Sequence, residues 1–331
     1  MAKYTRDETQ DWAWENLNGQ WSTAITPFTA DGELDETGLK ENIHRIRSLG
    51  TRGIGCSWGM GEFWSLTIEE RHRVYDIVSE EVDGQWMTAA HVTHTSINDM
   101  LALSDHAHAV GFDLLIIAPC YMVTKTEKQV LEWVNALARH TSMAIMFYNS
   151  PQFGIVMSVE GLRSICEIPN VVGVKEASFN RQLSIDAHMN IGDEYIISTP
   201  DEWAIFKGEE MGFRQQVMFA NTSDWRFDTP GSNYYVQFID RATNGDVDVS
   251  FYEKHIRPIK EVSDKWWQST VKNSGGVLPV ALCKYWGELM GMAGGPVRLP
   301  LLELSLEEKQ SLKADIEMVR DTTLPIKGDP L

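Results

Sequence analysis

Cysteine and positive charge are scarce in this sequence, and it holds no long apolar run. Its four cysteines, Cys56, Cys120, Cys166 and Cys283, stand far apart with no CxxC pair. That excludes a small disulfide scaffold and suits reduced thiols in a cytoplasm. The 29 Lys and Arg are outnumbered by 47 Asp and Glu, for a formal net charge of −18. Nucleic acid or an anionic membrane surface would need clustered cations, so neither is expected as a partner. An anionic ligand would need a locally favourable pocket. The longest apolar stretch, residues 114–123, is interrupted by Pro119 and is far too short to cross a bilayer. Residues 1–19 carry acids and no apolar h-region, so no signal peptide is read there. GxGxxG, GxxxxGK(S/T) and HExxH are all missing. This counts against a dinucleotide fold, a phosphate loop and a zinc protease helix.

What remains is a core-forming chain: 331 residues, 43% hydrophobic, with 12 Trp. Short β-rich runs alternate with amphipathic helices at roughly thirty-residue spacing, the unit length of a parallel barrel. The strands are expected at 20–26, 53–57, 86–91, 113–118, 143–148, 170–175, 194–198 and 215–220. Helices are expected at 36–49, 67–82, 96–110, 126–140, 158–166, 180–190, 201–212 and 229–242. Capping boxes start several of them: Thr67 with Glu70, Thr126 with Gln129, Thr199 with Glu202, and Ser305 with Glu308. Runs such as DLLIIAP and NVVGVK are apolar without alternation, as in strands covered on both faces. The predicted fold is a (β/α)₈ barrel over residues 1–245, with a short helix at 6–17. A C-terminal segment, 246–331, reads as helices only and packs on the barrel.

In such barrels chemistry sits where strands end, at the C-terminal face. The strand ends bring up Thr26, the 57–62 turn, His91, Cys120, Tyr121, Tyr148, Asn149, Lys175, Thr199 and Asn221. Lys175 closes the apolar run VVGV. A desolvated lysine loses its proton more readily, which frees the amine for attack on a carbonyl. The competing reading is an ion pair with an acid on an adjacent strand, and the residues alone leave both open. Tyr148 ends the neighbouring strand, where a phenol moderated by a nearby cation would shuttle protons; alone it reads as a packing tyrosine. His91 and His94 find no third ligand, while His106 and His108 point to different helix faces, so all four are read as non-ligands. No metal or organic cofactor is expected.

Several segments in order resemble the N-acetylneuraminate lyase / dihydrodipicolinate synthase superfamily of class I pyruvate aldolases. They are 24–28 (AITPF) with 31–35 (DGELD), 61–62 (GE) with 65–67 (SLT) and 69–71 (EER), and 116–121 (IIAPCY). They continue with 147–151 (FYNSP), 172–178 (VGVKEAS) and 297–300 (VRLP). The resemblance implies that Lys175 forms a Schiff base with pyruvate or a similar 2-oxo acid, with Tyr148 as proton shuttle. It implies a second tyrosine, Tyr121, that reaches across a subunit interface, and a homotetramer. The loop through Gly59, Met60 and Gly61 would hold the carboxylate, with Trp58, Asn149, Val217 and Trp225 as further substrate contacts.

The chain departs from the family at Gly59 and Met60, where two hydroxyl residues are usual. Backbone amides can still bind a carboxylate there, but a hydroxyl relay cannot form. Residues 150–154 (SPQFG) lack the arginine that dihydrodipicolinate synthases use, which argues against that activity. Trp58, Phe63, Phe153, Trp203 and Trp225 are expected near the catalytic face and would favour a flat apolar acceptor. The expected reaction is that of the hydratase-aldolases, cleaving an aryl 2-oxobut-3-enoate to an aromatic aldehyde and pyruvate. A sugar-acid lyase or dehydratase, served by His91, Asn149, Thr222 and Asp224, stands as the alternative within the family. A non-catalytic 2-oxo acid binding protein is the alternative outside it.

Overall fold

The computed structural model describes residues 4–219 and 226–323. Its strands are β1 (Gly19–Thr23), β2 (Gly53–Cys56), β3 (Met87–His91), β4 (Leu114–Ile117), β5 (Ala144–Asn149), β6 (Val171–Glu176), β7 (Ile196–Ser198) and β8 (Val217–Phe219). They form one parallel 8-stranded sheet in the order β7-β6-β5-β4-β3-β2-β1-β8. Side chains bridge the seam between β7 and β8. Ser198 Oγ accepts from the Phe219 amide at 3.0 Å, and the Gln215 carboxamide accepts from and donates to the Thr199 backbone at 2.7 and 3.0 Å. The result is the predicted (β/α)₈ barrel.

Helix α1 (Thr9–Asn16) precedes β1, and a helix follows each strand in turn: α2 (Glu36–Ser48), α3 (Ile68–Val82), α4 (Ile97–Ala109), α5 (Glu127–His140), α6 (Val159–Cys166), α7 (Arg181–Ile191), α8 (Trp203–Met211) and α9 (Tyr234–Ala242). The C-terminal segment adds α10 (Val249–His255), α11 (Arg257–Asn273), α12 (Val280–Leu289) and α13 (Leu306–Thr323). Among the described residues, no helix is long and apolar enough to cross a membrane.

Two apolar layers follow from strand alternation. One fills the barrel, with Trp21, Trp58, Leu114, Ile116, Met146 and Phe219 among its members. The other lies between strands and helices and runs on without a break into Tyr252, Trp266, Leu282 and Trp286 of the C-terminal helices. Inside the barrel, Gly53 and Gly55 on β2 leave room for two indoles: a Cβ at either would lie 2.6 or 2.5 Å from Trp21 or Trp58. The N-terminal extension closes the opposite end. Tyr4 donates to the Asp113 carbonyl at 2.5 Å and accepts from the Ala144 amide at 2.9 Å, and Trp12 and Leu17 pack into the interior.

The capping boxes at Thr67 and Thr126 form as read, and Ser305 and Glu308 exchange both of their bonds. The one at Thr199 does not. Its backbone is held by Gln215 across the seam and its hydroxyl by His188 at 3.2 Å, so α8 starts only at Trp203. The expected helix 229–242 likewise starts late, because Asp228 accepts from the amides of Tyr235 and Val236 and Thr229 bridges to Ser232. The C-terminal segment is not helical throughout: residues 290–305 cross the barrel face as irregular chain. Arg298 anchors that crossing, donating to the Gly32 and Ser65 carbonyls and pairing with Glu70 at 2.6 Å.

Candidate active site

A break in the alternation of β6 builds the site. Val172 points into the barrel while Val171 and Val174 point to the helices, so strict alternation would turn Lys175 outward. The register shifts between Ile145 and Met146, which pair with Val171 and Gly173, so β6 carries one extra residue. A Cβ at Gly173 would lie 2.0 Å from the Ile196 carbonyl oxygen, which is why the bulge falls on glycine. Beyond it the strand is inverted in phase, and Lys175 faces inward beside Tyr148.

Lys175 is 3% exposed, its Nζ lies 4.5 Å from the ring centres of both Trp58 and Tyr148, and no described carboxylate pairs with it. Burial lowers its pKa from 10.5 to about 7. The ion-pair reading of this residue therefore fails among the described residues, and the reactive-amine reading gains a cause. Burial also pushes the Tyr148 phenol from 10.0 up to about 12, with Ser150 opposing. The expected moderation by a cation is outweighed, because the neighbouring amine is itself driven toward neutrality. Tyr148 thus stands as a neutral donor.

The 57–61 turn folds over the same strand ends. Thr26 donates to the Gly61 carbonyl at 2.9 Å, and the amides of Gly59, Met60 and Gly61 donate to no described group. A Cβ at Gly59 would lie 2.7 Å from Leu278 Cδ1 and 3.9 Å from the Tyr148 hydroxyl. Leu278 therefore fills the space that a side chain at Gly59 would take.

A cavity of about 540 Å³ opens from Lys175, Tyr148 and Met60 toward the C-terminal helices. Its walls hold Phe179, Trp203, Phe206, Tyr252, Trp267 and Leu278 together with polar and charged residues, among them Arg181, Asp201, Arg226, Arg257, Lys260 and Asp264. The aromatic wall thus exists but differs from the expected one. Of the predicted aromatics among the described residues, only Trp203 lines the cavity. Trp58 is fully buried below Lys175, while Phe63 and Phe153 pack around His91 at 4.6 and 6.0 Å. Trp225, Asn221, Thr222 and Asp224 lie outside the described residues.

Other expected contacts are placed elsewhere. Asn149 turns away from the cavity, donating to Glu176 at 2.6 Å and accepting from the Met157 amide at 2.9 Å. Val217 belongs to the barrel interior. Tyr121 packs edge-on against Phe63 at 5.8 Å and does not line the cavity. His91 donates from Nδ1 to the Ser57 carbonyl at 2.9 Å, whereas His94 pairs with Asp99 at 3.3 Å, so the two do not converge. Among the described residues, no group of three or more His, Cys, Asp or Glu side chains is arranged to hold a metal ion. Sequence reading missed Phe179, although it stands only four residues beyond Lys175. Phe206, Tyr252, Trp267 and Leu278 carried no local signal and are brought in by packing.

The model of the dihydrodipicolinate synthetase family matches residues 16–319. The chain belongs to that family. This places it in a superfamily of class I aldolases and lyases acting on 2-oxo acids. It is 27% identical, over 90% of its own length and 98% of the relative's, to the 4-hydroxy-tetrahydrodipicolinate synthase of Bacillus velezensis. It is 26% identical, over 90% and 93%, to a protein of Methylobacterium radiotolerans named "Probable 5-dehydro-4-deoxyglucarate dehydratase". Among solved structures, YagE of E. coli K12 in complex with pyruvate superposes with a TM-score of 0.77 at 18% identity, over 92% of this chain and 98% of that one. The Proteus mirabilis N-acetylneuraminate lyase superposes at 0.76 and 22% identity, over 92% and 99%.

Proposed function

We propose that this protein is a hydratase-aldolase that cleaves an aryl 2-oxobut-3-enoate to an aromatic aldehyde and pyruvate through a Schiff base on Lys175. The observation that carries the reading is the cavity itself: a desolvated amine, paired with no described carboxylate, in a space whose wall includes Trp203, Phe206, Tyr252 and Trp267. Neutral Nζ adds to the C2 carbonyl, and loss of water leaves a protonated imine. That cation draws electrons from the conjugated chain, so water adds at C4 with its proton passed on through Tyr148. Addition leaves an enamine, and protonation at C3 restores the iminium. Loss of the C4 hydroxyl proton then drives retro-aldol fission of the C3–C4 bond, which releases the aldehyde and leaves the enamine of pyruvate. Protonation at C3 and hydrolysis then return pyruvate and free Lys175. The unspent amides of Gly59, Met60 and Gly61 are suited to the substrate carboxylate. Burying an aryl ring gains roughly 25 cal/mol per Å² of apolar surface. A sugar-acid hydroxyl that lay against those rings would be unpaired, at about 1–3 kcal/mol.

Treatment with pyruvate and borohydride should place one irreversible adduct on Lys175, read by peptide mass spectrometry. Benzylidenepyruvate should show a far higher kcat/KM than N-acetylneuraminate or 2-keto-3-deoxy sugar acids. Turnover of a sugar acid alone would shift the assignment to the second reading, a sugar-acid lyase or dehydratase. The charged residues in the cavity wall and the named dehydratase relative favour that reading. An active enzyme with an unmodified Lys175 peptide would end both. We also propose assembly into a homotetramer with Tyr121 at an interface, supported by the exposed Met122 and Val123 beside it; light scattering decides it.

A further inference from the structure

We propose that Phe179 is a specificity-determining residue, its ring gripping the apolar substituent on C4 of the acceptor at the cavity mouth. The proposal rests on the Schiff-base reading of the site and adds the group that selects the substituent.

Two unfavourable features coincide at this position. Phe179 has φ of 61°, a left-handed conformation that disfavours any residue with a Cβ, and its side chain is 66% exposed although fully apolar. Neither follows from packing, since a phenylalanine kept for the core would be covered. Both neighbours are tied down, so the turn is imposed on it. Ser178 donates to Glu176 from its amide at 3.0 Å and from its hydroxyl, and Glu176 is itself held by Asn149. On the other side, Asn180 donates its amide to Ser178 Oγ at 3.1 Å and caps α7 by accepting from Gln182 and Leu183. A strained residue pinned from both sides beside a reactive group is the kind of position that persists for a role in binding. The ring lines the same cavity as Lys175, four residues away in sequence. Near it, the Arg181 guanidinium lies 5.3 Å over the Trp203 ring, which holds that indole as a second apolar surface in the same cavity. A flat or branched apolar substituent at C4 would meet that ring inside the cavity that Phe179 shares with Lys175. An acceptor without that substituent makes no such contact.

The test uses the full-length enzyme with Phe179→Gly, Phe179→Asn and Phe179→Tyr. Gly and Asn accept the left-handed turn, so thermal midpoints should hold or rise by about 1–3 °C. For benzylidenepyruvate, kcat/KM should fall roughly tenfold in both, while the unsubstituted 2-oxobut-3-enoate stays within about twofold and Phe179→Tyr retains activity. Borohydride trapping of pyruvate on Lys175 should be the same in all variants. Equal losses on both substrates, or a midpoint that drops in both Gly and Asn variants, would make Phe179 structural and overturn the proposal. A change of oligomeric state with selectivity intact would overturn it too. Where the parent enzyme is trapped on Lys175 yet turns over no aryl compound, the aryl reading fails by itself. Comparing a C4-alkyl with the unsubstituted 2-oxobutenoate then decides the role of Phe179 by the same criterion.

Discussion

Two lysines among the described residues are buried, in two regions that treat the same side chain in opposite ways. Lys284 on α12 lies 2.5 Å from Glu62, donates to the Pro296 carbonyl at 2.8 Å and sits 4.0 Å over the Phe28 ring. Burial lowers its pKa and raises that of Glu62, and each opposes the shift of the other. Together with Arg298 on Glu70, the pair ties the C-terminal segment to the turn beyond Gly61. Lys175 is equally buried but meets two aromatic rings and no described acid. Burial with a counter-charge makes a clamp, and burial without one favours a neutral amine, the form that the proposed Schiff-base chemistry needs.

The comparison breaks most sharply at Lys175. Lys175→Met should abolish turnover and trapping by pyruvate and borohydride, yet stabilise the fold. The native amine titrates near 7 instead of 10.5, so the wild type is most stable above pH 10.5, loses stability as the pH falls toward 7, and is level below that. At pH 7 and below, the Met variant should gain on the order of 4–5 kcal/mol in urea unfolding, a gain that vanishes above pH 10.5. A destabilised Met variant would show that the amine is paired after all.

Lys284→Met should do the reverse. It leaves Glu62 buried without its cation and should cost about 3–5 kcal/mol of stability, whereas the double variant with Glu62→Leu should recover most of it. A neutral single variant would remove the clamp from the comparison.

Gly173→Ala tests the bulge that turns Lys175 inward. Its methyl must displace the Ile196 carbonyl, and the resulting shift of the amine should slow trapping and turnover roughly a hundredfold with the fold retained by circular dichroism. Wild-type kinetics would show that strand phase is set elsewhere.

The smallest effect is on pH dependence. Attack requires the neutral amine, so the trapping rate should fall about tenfold for each pH unit below the pKa of Lys175, near 7, and level off above it. A midpoint close to 10 would mean that Lys175 is charged at rest and that its isolation from acids has no chemical consequence.

The sequence by itself determined what depends on neighbours along the chain. Alternating periods set the order of strands and helices, hydroxyl and acid residues three apart marked helix starts at Thr67, Thr126 and Ser305, and an apolar run ending in lysine marked Lys175. Tertiary structure decided everything that depends on which way a side chain faces. The capping box at Thr199 lost to hydrogen bonds across the barrel seam, a competition between residues 16 positions apart. Trp58 went to the floor beneath Lys175 because Gly55 leaves a space its own size. Asn149 turned outward because Glu176 and the Met157 amide use its carboxamide. The cavity wall came from Tyr252, Trp267 and Leu278, which follow Lys175 by some eighty to a hundred positions and meet it only through packing. Even the inward turn of Lys175 needed one extra residue in β6. Periodicity cannot reveal that residue, because its only mark is a carbonyl from the next strand where a Cβ would have been.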